Sequence, residues 1–60
     1  MRGALILALT ELRTVHSTLG ELLEAAGDEL SAAAVDHVES CRASLRDTCE
    51  QLQTELREGE

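Results

Sequence analysis

Residues 22–31 read LLEAAGDELS, and the reading of Gly27-Asp28 inside that stretch decides the fold. Upstream, Leu5, Leu9, Leu12, His16, Leu19, Leu23 and Ala26 recur at alternating spacings of four and three, the a/d seam of a coiled-coil helix. Downstream, Ala34, Val38, Cys41, Leu45, Cys49, Leu52 and Leu56 form a second helical stripe. A glycine just past the last turn of a helix supplies a left-handed C′ residue, which is the role expected of Gly27. Asp28 or Ser31 can then cap the next helix by accepting from its unpaired N–H groups. The expected fold is all-α: helix 1 over about 4–26, a turn over 27–30 and helix 2 over 31–57, one helical-hairpin domain across 1–60. The hairpin is antiparallel and coiled-coil-like. A turn centred on Asp28 sets Leu5 level with Leu52, Leu12 with Leu45, Leu19 with Val38 and His16 with Cys41.

The two stripes differ in width. With Ala8, Val15 and Leu22 added, the apolar arc of helix 1 covers about 140°, against about 80° for helix 2. One neighbouring helix needs only a narrow a/d seam, so the excess on helix 1 calls for another surface. A second copy related by a two-fold axis supplies it, giving a homodimeric four-helix bundle with helix 1 at its centre. Leu5, Leu9, Leu12, Val15, Leu19, Leu22 and Leu23 are the expected main buried face, completed by Val38, Leu45, Leu52 and Leu56. Ile6 and Leu7 point well away from that stripe and make the first turns apolar all round. They are candidates for docking a different protein. The outer face of helix 1 carries Thr10, Thr14, Ser17, Thr18 and a mid-helix Gly20, small residues that allow close approach of another helix or simply form a polar surface. On helix 2, Arg42 and Arg46 stand one turn from Glu39 and Glu50, as solvated helix pairs do.

Composition narrows the function classes. The chain has 60 residues with no Phe, Trp, Tyr or Pro, so β-sandwiches and base-stacking platforms are excluded. A chain this short buries only about 60% of its unfolded surface, which leaves a lone core marginal. Twelve acids face five bases, all of them Arg, for a net charge of -7. That charge disfavours nucleic acid and anionic membrane surfaces and admits a basic partner. The apolar run Ala4–Leu9 after Arg2 is too short for a signal-peptide core or a bilayer span, and a cytoplasmic location is expected.

Chemistry-bearing residues are few. His37 and Cys41 are four apart on one helix, and the expected register brings His16 toward them, so His16, His37 and Cys41 are the candidate metal ligands, enough for an open zinc site. The competing reading makes His16 and Cys41 core residues and leaves His37 on a flank. Cys41 and Cys49 lie about 12 Å apart along one helix, beyond bridging distance, so free buried thiols are expected, with a bridge between two copies as the alternative. No Glu-x-x-His pair, phosphate loop, serine elbow or zinc-protease motif occurs, so no enzyme and no cofactor are expected. These features describe a small acidic protein–protein interaction module, of adaptor or co-chaperone type, that self-associates through helix 1. An acidic inhibitor or nucleic-acid mimic seated on a basic protein, and a metal-binding helical bundle, are the alternatives.

Overall fold

The computed structural model describes residues 2–59. Two helices fill it: α1, Arg2–Ala26, of 25 residues, and α2, Ala32–Glu58, of 27. A single 3-10 turn, Gly27–Glu29, joins them. The pair lies side by side as a hairpin with extents of 45 × 15 × 13 Å. Neither helix contains proline, and Leu, Ala, Glu and Arg, all strong helix formers, dominate both.

Ser31 starts α2. Its hydroxyl accepts from the Ala34 N–H at 3.1 Å while its carbonyl accepts from Val35 N–H at 3.0 Å, so the cap and the first helical bond come from one residue. Asp28, the first cap expected, lies inside the 3-10 turn and does not fill this role, which falls to the alternative, Ser31. At the other end Gly59 N–H donates to Glu55 O at 3.0 Å, and Arg57 in the last turn complements the negative end of the helix dipole.

The turn corrects one expectation. No residue among those described has a positive φ, glycines included, so Gly27 is not a left-handed C′ residue. The chain tightens into 3-10 geometry instead, and Leu30 N–H closes on Gly27 O at 3.3 Å. Such i→i+3 bonding occupies carbonyls at a helix end without a left-handed residue. Leu30 (φ -90°, ψ 152°) and Ser31 (φ -68°, ψ 158°) are then extended, and the chain reverses there.

The later reversal shifts the register by about one turn. Leu5 shares a groove with Leu56 rather than standing level with Leu52. His16 shares one with Arg46 and Cys49 rather than meeting Cys41. The seam of α1 is the expected one: Leu9 is 4% exposed, and Leu5, Leu12, His16, Leu19 and Leu23 are half-buried. The seam of α2 is rephased. Val35, Val38, Arg42, Leu45, Cys49, Leu52 and Leu56 are buried or half-buried, whereas Cys41 is exposed. Strict alternation of three and four residues back from Leu56 runs through Arg42, and choosing the apolar Cys41 breaks that alternation.

Candidate functional site

The middle of the seam is polar. Arg42 occupies a core position, and its Nε donates to the His16 carbonyl oxygen at 3.2 Å. Its guanidinium lies over Gly20, where a Cβ would come within 2.8 Å of a terminal nitrogen. Gly20 therefore makes room for an arginine end, not for another helix. Arg42 turns across to α1 instead of forming the solvated pair expected with Glu39 or Glu50. Its aliphatic stem fills the layer that a leucine would otherwise occupy.

The candidate metal ligands are not assembled. His16 is half-buried in the seam, while His37 and Cys41 are exposed on α2. Among the described residues no group of three or more His, Cys, Asp or Glu side chains is placed to hold a metal ion. The cause is the register: His16 meets the level of Arg42 and Arg46, and Cys41 has rotated out of the seam. Both cysteines are free, but only Cys49 is buried, which corrects the expectation of two buried thiols.

The hairpin has two lateral flanks, and they differ in chemistry. On one flank, α1 presents Ala8, Val15 and Leu22 and α2 presents Ala34, Cys41 and Thr48, with Glu55 the charged exception near the chain ends. Val15 is 46% and Leu22 38% exposed there. The other flank is a groove in two contiguous parts, of about 300 and 370 Å³, which share Arg13 and Gln53. Ile6, Leu9 and Leu56 line the first part, and Cys49 and His16 the second. Arg13, Arg46 and Arg57 stand along it, with Glu50 beside Arg46. Among the described residues no carboxylate pairs with Arg13, Arg46 or Arg57.

Leu7, 59% exposed, points away from the seam. The sequence pairs Ile6 and Leu7 as one patch, but Ile6 lines the arginine groove and Leu7 does not. On the outer face, the Thr10, Thr14 and Thr18 hydroxyls each donate to the carbonyl four residues back, at 3.0, 3.0 and 2.9 Å. The hydroxyls are thereby occupied, and methyl groups are left toward solvent. No helix among the described residues is long and apolar enough to cross a membrane.

The exposed area reflects the elongated shape and the thin core of two helices. The chain exposes 4460 Å². A compact folded monomer of 6.5 kDa exposes roughly 3,800 Å². Among the described residues only Leu9 and Cys49, at 4% and 9% exposure, are buried apolar side chains. The arginine groove was the feature missed in the sequence. Its signal was the recurrence of Arg13, Arg46 and Arg57 beside the two seams, which is visible only once both seams are phased. Comparison with family models, with curated proteins and with solved structures finds no match to this chain.

Proposed function

We propose that this chain is a small acidic protein–protein interaction module, of adaptor or co-chaperone type, whose hairpin pairs with a second copy through the Val15–Leu22 flank to make a four-helix bundle. The observation that carries the reading is the exposure of Val15 and Leu22 on a flank otherwise built of Ala8, Ala34, Cys41 and Thr48. Small and apolar side chains let two helix pairs approach closely, and burial of apolar area is the main drive for association. Two-fold pairing makes the same flank serve both copies, so no second complementary surface is needed.

Thermal unfolding followed by circular dichroism across about a hundredfold dilution tests this reading, because a dimer's melting temperature falls as the protein is diluted. Cys41 lies on the pairing flank, so its reaction with a thiol reagent slows as protein concentration rises. A melting temperature and a Cys41 labelling rate that both stay constant across the series contradict the dimer.

A further inference from the structure

The groove on the opposite flank has an apolar floor and an arginine rim, and we infer that it is a docking site for an acidic amphipathic helix of another protein. The inference rests on reading the chain as an interaction module but not on its self-association. Three observations meet at the groove. Leu9 and Leu56 form its floor between the helices, and Ile6, 48% exposed, extends that floor outward. Arg13, Arg46 and Arg57 line its length in a chain of net charge -7, and none of them is paired with a carboxylate among the described residues. The two parts run on into each other through Arg13 and Gln53, so the site is a continuous track rather than a pit.

The shape and charge select the partner's chemistry. Arg46 and Arg57 are spaced about 16 Å along α2, the length of roughly three turns of helix. An amphipathic helix of that length lays apolar side chains at i, i+3, i+4 and i+7 on the floor. Its flanking carboxylates then meet Arg13 on one side and Arg46 and Arg57 on the other, in charge-assisted pairs. A nucleic acid fits less well. Glu50 stands in the groove, no aromatic side chain is available for stacking, and the acidic remainder of the chain repels a polyanion.

The test uses the full chain and a fluorescein-labelled helical peptide of about fourteen residues, with Leu at i, i+3, i+4 and i+7, Glu only at the positions flanking that stripe and Ala elsewhere. Fluorescence anisotropy reads binding. Saturable binding is expected, weakened about tenfold or more when salt rises from about 50 to 300 mM. The pair Arg13→Glu and Arg46→Glu is expected to weaken it at least about tenfold, and Arg13→Gln with Arg46→Gln, which disturbs folding less, several-fold. A peptide of the same composition with its leucines scattered is expected to bind at least about tenfold more weakly, because only the floor reads amphipathicity.

Several results overturn the proposal: equal affinity for the scattered peptide, no loss with the folded glutamine variant, or no saturable binding up to about 1 mM peptide. Equal or tighter binding of an oligothymidine assigns the groove to nucleic acid and overturns it too. A change in the solution mass of the chain itself on Arg13→Gln and Arg46→Gln assigns the groove to a second copy, with the same consequence. Self-association is read separately, so failure of the dimer leaves these measurements interpretable.

Discussion

The two flanks of this hairpin share one seam and have opposite chemistry. The Val15–Leu22 flank carries mostly small and apolar side chains, with Glu55 as its charged exception. The Arg13–Arg46 flank is grooved and basic, in a chain whose remaining surface is acidic. The contrast arises because each seam position has two neighbours. On α1 these are 8, 15 and 22 on one side and 6, 13 and 20 on the other. A thin two-helix core thus leaves each flank free to carry its own recognition chemistry.

The largest effect is expected where both flanks lose their common support. Leu9→Ala removes the most buried side chain and is expected to cost about 2–3 kcal/mol, abolishing a cooperative thermal transition by circular dichroism. Leu7→Ala, on an exposed residue of the same turns, is expected to change stability by less than about 0.5 kcal/mol. Equal losses from the two substitutions would mean that Leu7 is core in the assembled state.

The next test separates the flanks directly. Val15→Glu with Leu22→Glu is expected to turn dimers into monomers and to lower the melting temperature, since like charges would face each other across the two-fold. Arg13→Gln with Arg46→Gln is expected to leave the solution mass unchanged. Size-exclusion chromatography with light scattering checks both, and the reverse pattern would exchange the roles of the flanks.

Two smaller effects probe the polar layer between them. Arg42→Leu replaces a seam arginine by an apolar residue, and chemical denaturation is expected to show a gain of about 1 kcal/mol. Gly20→Ala gains helix propensity of nearly 1 kcal/mol but displaces the Arg42 guanidinium, so a net change within about 0.5 kcal/mol is expected. A large loss from Gly20→Ala would show that the Arg42–His16 contact holds the register.

The hairpin itself was legible in the residues. Leu5 to Ala26 keep an unbroken heptad spacing, and Ser31 is a capping residue standing before an alanine-rich first turn. The excess width on α1 was legible too: Val15 and Leu22 are exposed, as are Ile6 and Leu7, while Ala8 is half-buried. The phase of α2 was harder to read because hydrophobicity and spacing disagree at one step. Cys41 is apolar, but the alternation passes through Arg42, whose long stem lets a charged residue occupy the seam. The register depended on where the chain reverses. Gly27 advertises a left-handed turn, whereas the 3-10 turn moves the reversal to Leu30 and Ser31. The His16–His37–Cys41 cluster failed with that register, and the arginine groove emerged from it. Neither can be read from one helix alone, because each depends on which levels of the two helices face each other.

Sedimentation equilibrium of the full chain over a wide concentration range tests the central claim, that this core is finished by a second copy. The account predicts a mass twice 6.5 kDa at high concentration, falling toward a single chain on dilution. A single-chain mass at every concentration, from a protein that still melts cooperatively, would contradict it.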